Sequence, residues 1–156
     1  MIAFQGCTNH KVKMKNKPID EGYKTWMIAE HGYTIAWLWH SKVEGSEGIP
    51  NPEGIPVSET ISLIGYLSPT FAIVIHLAWI LCNAYPNRNY HFFLDNLFLN
   101  VNVALALLEL GILCTGTTRK NAAGVPHCLV ELKIKTRSLI WNSTFAEIVN
   151  GVLCFL

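Results

Sequence analysis

Apolar and polar positions alternate over residues 1–40 and then give way to longer apolar runs, so the chain reads as a strand-rich start followed by an α/β remainder. Met1 to Cys7 predicts a strand. Lys11, Lys13, Lys15 and Lys17 recur at every second residue, and in an extended segment that period puts all four on one face. Tyr23 to Glu30 predicts the next strand, His31-Gly32 a tight turn, and Tyr33 to His40 an antiparallel partner carrying Tyr33, Ile35, Trp37 and Trp39 on one side. Ser41 to Pro56 is rich in Gly, Pro and Glu, and Glu47-Gly-Ile-Pro50 recurs as Glu53-Gly-Ile-Pro56. Two short copies make a loop rather than a repeat architecture, and residues 41–59 are expected to form that internal loop.

Ser68-Pro69 has the form of an N-cap followed by proline in the first helical turn, which predicts a helix from Pro69 to Ala84. The aromatic run Tyr90 to Leu94, bounded by Asn87-Arg88-Asn89, predicts a buried strand. A helix from Asn100 to Leu110 closed by Gly111 and a strand from Ile112 to Thr117 come next. Two strands separated by a helix form a βαβ unit with a parallel pair. Cys128 to Ile134 and Glu147 to Phe155 are expected to be further strands, the last an apolar edge liable to pair with another chain.

Composition narrows the class. With 156 residues the chain suits one domain, able to bury about 68 to 70% of its extended surface. Its 51% hydrophobic and 15% charged residues exclude disorder and fall short of the usual charged share of about 25%. That shortage implies absent partner segments, and apolar surface left uncovered promotes self-association. Five cysteines, with no Cys-x-x-Cys pair, offer neither a zinc site nor a disulfide framework. Buried reduced thiols and a nuclear or cytosolic, non-secreted setting are the expectation. The window Ile61 to Ala84 has only His76 as an ionisable side chain and is long enough to span a bilayer, but Ser68-Pro69 divides it and leaves less than the usual span of about 20 residues. A small membrane protein stays as an alternative, and a membrane partner is not favoured.

Candidate chemistry centres on Asp95. At the carboxyl end of the strand Tyr90 to Leu94 it would face the crevice where open α/β sheets bind ligands and metals. Equally, an Asp there caps a turn or the next helix. Strand alternation puts His91 on the same face as Asp95, as a metal partner or as a core histidine with satisfied hydrogen bonds. Trp26, Trp37, Trp39, Trp79 and Trp141 read first as core, with base stacking as the alternative. No nucleophile with its base and no phosphate-binding glycine loop appears.

Ordered blocks extend the picture. Met1-Ile-Ala-Phe-Gln-Gly6, then Lys15-Asn-Lys-Pro-Ile19 with Gly22-Tyr-Lys24, then Asp95-Asn-Leu-Phe98, then Gly116-Thr-Thr-Arg-Lys-Asn121, and finally Trp141-Asn142 with Ala146 to Leu156 resemble in order the piggyBac-type transposases and proteins derived from them, fungal members in particular. The resemblance implies an α/β fold, an incomplete RNase H-like mixed sheet of antiparallel hairpin strands plus a parallel βαβ unit, flanked by helices. It implies DNA as partner and Mg2+ as cofactor, held in that family by three aspartates. Of these positions Asp95 alone has a match; the first would precede Met1 and the third would lie beyond Leu156. Gly6-Cys7 stands where the family has Gly-Arg.

Two-metal phosphoryl transfer needs ions about 3.5 to 4 Å apart. One aspartate holds at most a weak, singly anchored ion. Asp20, Glu21, Glu30 and Glu109 are the other acids to consider, and sequence puts none of them beside Asp95. The expectation is a truncated DDE transposase core, residues 1–156 forming a single partial domain, that neither cleaves nor joins DNA by itself. The alternative is a non-catalytic DNA- or protein-interaction module. Lys11, Lys13, Lys15, Lys17, Arg119 and Lys120, together with Lys133, Lys135 and Arg137, would contact phosphate and make binding fall with salt. A solvated face is the competing reading for each, at a net charge of only +1.

Overall fold

Two tight turns and two capped helices set the frame. The structure is a computed structural model that describes residues 1–15, 17–40, 67–134 and 143–155. The expected loop 41–59, the start of the apolar window, Trp141-Asn142, Lys135 and Arg137 lie outside these residues. The chain divides into two units, Met1–Asn87 and Arg88–Leu156.

In the first unit, β1 (Ile2–Ala3), β2 (Val12–Lys13) and β3 (Glu21–Tyr23) make an antiparallel sheet in the order β1-β3-β2. β4 (Thr25–Glu30) and β5 (Tyr33–Trp39) form an antiparallel hairpin. His31 and Gly32 join them at φ 46° and 83°, the pair of positive angles whose twist matches the flanking strands. Helix α1 (Pro69–Ala84) starts as expected: the Ser68 carbonyl accepts from the N–H groups of Phe71 and Ala72, both at 2.9 Å. It packs on β4 and β5, burying Ala72, Ile75, His76 and Ala78 alongside Trp26, Ala36 and Leu38. No helix among the described residues is long and apolar enough to cross a membrane.

Four expectations for this unit are corrected. The strand expected over Met1 to Cys7 is limited to Ile2–Ala3, and that over Tyr23 to Glu30 breaks at Lys24 into β3 and β4. The lysine row does not lie on one strand face, because only Lys13 is in β2 and Lys15 is already in a turn. There the Met14 N–H reaches back to the Asp20 carbonyl at 2.7 Å, closing a loop around Pro18, which has no N–H to give to a sheet. Finally, Trp37 and Trp39 face solvent rather than the core, and a β-bulge between Ile28 and Ala29 shifts the register so that Tyr33, paired with Glu30, no longer shares their side. Both faces of β5 are apolar, so alternation alone does not choose between them, and it is Ala36 and Leu38 that are buried.

In the second unit, β6 (His91–Leu94), α2 (Val101–Glu109) and β7 (Leu113–Gly116) form the expected βαβ unit, with a parallel register running from His91↔Leu113 to Leu94↔Gly116. Buried Asn100 caps α2, its Oδ1 accepting from the Val103 N–H at 2.8 Å. Val103, Leu107 and Ile112 are almost wholly shielded from solvent. Gly116 has to be glycine at this register, since a Cβ there would run into the Leu94 carbonyl.

Downstream, two strand expectations are corrected. Cys128 to Ile134 belongs to helix α3 (His127–Ile134). The Pro126 carbonyl accepts from the Leu129 and Val130 N–H groups at 3.1 and 3.2 Å, which starts the helix, and His127 meets Glu131 one turn on at 3.3 Å. Glu147 to Phe155 is a hairpin instead of one strand: β8 (Ala146–Val149) turns at Asn150-Gly151, φ 50° and 86°, into β9 (Val152–Phe155). The thiols also depart from expectation, with Cys7 and Cys128 exposed and Cys82, Cys114 and Cys154 half-buried, all five free. Burial pushes the thiols of Cys82, Cys114 and Cys154 up from their ordinary pKa. The whole is a mixed α/β arrangement with antiparallel and parallel pairings.

Candidate functional site

Local hydrogen bonding fixes Asp95 at the end of β6. Its backbone carbonyl accepts from the N–H groups of Phe98 and Leu99, each at 3.1 Å, and its Oδ1 accepts from the Leu97 N–H at 2.9 Å. This turn swings the chain from strand into helix while leaving the carboxylate exposed. Of the two readings taken from sequence, a ligand for a cation and a cap for the turn, the geometry shows the cap, at the carboxyl end of β6.

The parallel register brings the chain after β7 to the same edge. The Thr117 N–H donates to the Leu94 carbonyl at 3.3 Å, and the Thr118 hydroxyl donates to the Leu99 carbonyl at 3.0 Å. Exposed Arg119 and Lys120 follow directly. Lys120 also lines a cavity of about 550 Å³ whose walls include Leu99, Ala104, Ile112, Leu129 and Leu153. Of the sequence-derived candidates, Asp95, Arg119 and Lys120 thus gather at one edge of the second unit. Thr118 was not among the sequence-derived candidates, yet its hydroxyl pins this loop to the turn after Asp95.

His91 is not the core histidine that was one of its two readings. It is exposed, its Nε2 meets the Thr115 hydroxyl at 2.8 Å, and its ring stacks on Phe93 with centroids 4.8 Å apart. The neighbouring strand supplies its partner, which a reading of alternation within one strand had no means of finding.

Lys11, Lys13, Lys15 and Lys17 sit in the first unit. Lys11 is tied down: its Nζ pairs with Glu21 and donates to the Gly6 carbonyl at 3.2 Å. The Lys11 ammonium in turn holds the Glu21 carboxyl below the usual carboxylate range. Lys13, Lys15 and Lys17 are exposed.

Comparison with known proteins decides the family. The profile of the family described as Transposase IS4 matches residues 1–148. The chain belongs to the Transposase IS4 family. Among solved structures, its fold is similar to that of a piggyBac transposase seen by cryo-EM in a synaptic complex with hairpin DNA, with a TM-score of 0.65 and 18% identity over 96% of this chain. This chain spans only 27% of the length of that one. A search of the curated proteins gave no match.

Transposases of this kind imply Mg2+, and the donor set tests whether these residues fit it. Asp95 offers one carboxylate, one oxygen of which is already engaged by Leu97. Among the described residues no group of three His, Cys, Asp or Glu side chains comes together that could hold a metal ion. Glu109 closes α2, at the far end of the helix from Asp95. A pair of ions clamping a phosphodiester needs more anionic ligands than one carboxylate supplies, so the described residues do not fit such a pair.

Proposed function

We propose that this member of the Transposase IS4 family is an RNase H-like core, residues 1–156 forming one domain that binds DNA but whose described residues do not suffice to cut or join it. The observation that carries this reading is the shared edge of the β6–β7 pair, where the single carboxylate of Asp95 lies with Arg119 and Lys120 after the neighbouring strand. The two cations, with exposed Lys13, Lys15 and Lys17, supply phosphate contacts. Asp95 supplies one metal ligand of a set that the rest of the described residues do not complete. Support also comes from the fold shared with a transposase solved on hairpin DNA. Work on DNA fits a nuclear or cytosolic site.

The test joins binding to chemistry. The purified chain should retain labelled duplex at low salt and release it as salt rises, with affinity falling when Arg119 and Lys120 are both changed to Gln. It should leave supercoiled plasmid intact with Mg2+ or Mn2+. Nicking that depends on the metal and disappears in Asp95→Asn would contradict the proposal.

A second reading, a protein-interaction module that self-associates, draws on one observation: Phe93, Ile148 and Phe155 are 79, 68 and 68% exposed. Light scattering on the eluting chain separates the two, since a stable dimer broken by Ile148→Lys supports the second and a monomer removes it.

A further inference from the structure

An aromatic row in the first unit has no part in the edge around Asp95. Phe4 meets Tyr23 with ring centroids 4.8 Å apart, Tyr23 meets Trp39 at 5.3 Å, and Trp39 meets Trp37 at 5.2 Å, the last two contacts edge to face. Trp37 and Trp39 are nonetheless 45 and 40% exposed. Cross-strand pairing of Met27 with Trp37 and Thr25 with Trp39 keeps the row on one face. Large π surfaces held in fixed rotamers by one another, yet open to water, are unlike a core and unlike scattered surface residues.

Cations decide what such a row fits. Alternation along β3 puts Glu21 on the face of Tyr23; Lys13 stands opposite Glu21 across the sheet, and Lys11 pairs with Glu21. The row therefore runs into two lysines at its β2 end, with exposed Lys15 and Lys17 just beyond that strand. Aromatic rings leading into lysines match a strand that offers base faces and phosphates together, whereas an apolar protein partner gains nothing from the lysines. In a duplex the base faces are already stacked on one another, so unpaired bases are required.

We propose that Trp37, Trp39 and Tyr23, with Lys13 and the exposed Lys15 and Lys17 at their end, form a base-stacking surface for single-stranded DNA. The proposal rests on the DNA-binding reading above and adds a second surface of different chemistry. Bases stack on the exposed indoles, and the lysines take the adjoining phosphates. Strand identity is read by flexibility and stacking, so sequence preference is weak.

The test measures anisotropy of a labelled oligo-thymidylate of about 12 nucleotides, and of a duplex of equal length, with the full chain at low salt. Changing Trp37 and Trp39 together to Ala should weaken the single strand at least about tenfold and leave the duplex within about twofold. Trp37→Phe with Trp39→Phe should keep most of the binding, and Lys13→Gln with Lys15→Gln should weaken it and flatten its dependence on salt. Undiminished single-strand binding in the Ala pair overturns the proposal, as does an equal loss for duplex, or a change confined to oligomeric state. Should the Ala pair fail to fold by circular dichroism, quenching of tryptophan emission by the oligonucleotide decides: it must shrink in the Phe pair, and unchanged quenching overturns the proposal. Duplex binding without single-strand binding defeats this surface alone. Loss of both in the unaltered chain defeats the DNA-binding reading as well.

Discussion

The β6–α2–β7 unit and the β4–β5 hairpin treat their apolar residues in opposite ways. In the first, the branched side chains of α2 and its flank, Val103, Leu107 and Ile112, are shielded almost completely. In the second, the smallest residue on β5, Ala36, is buried while Trp37 and Trp39 on the other face remain open. Burial of a branched side chain stabilises by about 1.5 to 3 kcal/mol, so the first region carries folding energy, and the second keeps its largest apolar surface available for binding.

The steepest test of that contrast is truncation at the centre of α2. Leu107→Ala removes a side chain with no exposed surface and should cost about 2 to 5 kcal/mol by urea denaturation. A cost below about 1 kcal/mol would mean that α2 is not part of the folding core.

Next in size is the helix cap. Asn100→Ala deletes the acceptor for the Val103 N–H in a buried setting and should cost about 0.5 to 2 kcal/mol, while Asn100→Asp, which keeps an acceptor, should cost less. Equal losses in the two variants would show that the cap is not what holds the start of α2.

Acid should loosen the first unit through His76. Burial in α1 depresses its pKa below the ordinary value of about 6.5, so the neutral form is favoured on folding. Its contribution is fully present above that value and is lost as pH falls through it toward the folded pKa. Melting temperature should fall between about pH 7 and pH 5, and fall less in His76→Leu. Identical slopes would assign the acid sensitivity to another group.

The smallest expected effect belongs to the exposed row. Trp37→Ala should shift stability by no more than about 0.5 kcal/mol despite removing the largest kind of side chain. A loss comparable to that of Leu107→Ala would erase the distinction between the two regions.

Sequence reached these two regions to different depths for physical reasons. In the βαβ unit several local signals agree: the Asn100 cap, Gly111 after the helix and the Asn-rich boundary before β6 all point to the same elements. Asp95 was legible through its motif, and its turn through the preference of Asp for capping. The hairpin itself was legible from His31-Gly32, but its core side was not, because period two separates the faces of a strand without saying which one a helix will cover. Asn150-Gly151 is a strong hairpin signal lying inside a continuous apolar run, and Pro126 marks a helix start ahead of a segment expected to be a strand. The bond between His91 and Thr115 depends on register between strands, which a periodic pattern does not contain.

The central claim, that among the described residues Asp95 has no companion carboxylate to complete a catalytic metal pair, is tested most directly by titrating Mn2+ into the purified chain and counting bound ions by electron paramagnetic resonance. The account predicts one weak site at most, removed by Asp95→Ala. Two ions bound per chain with mutual magnetic coupling, both lost in Asp95→Ala, would contradict it.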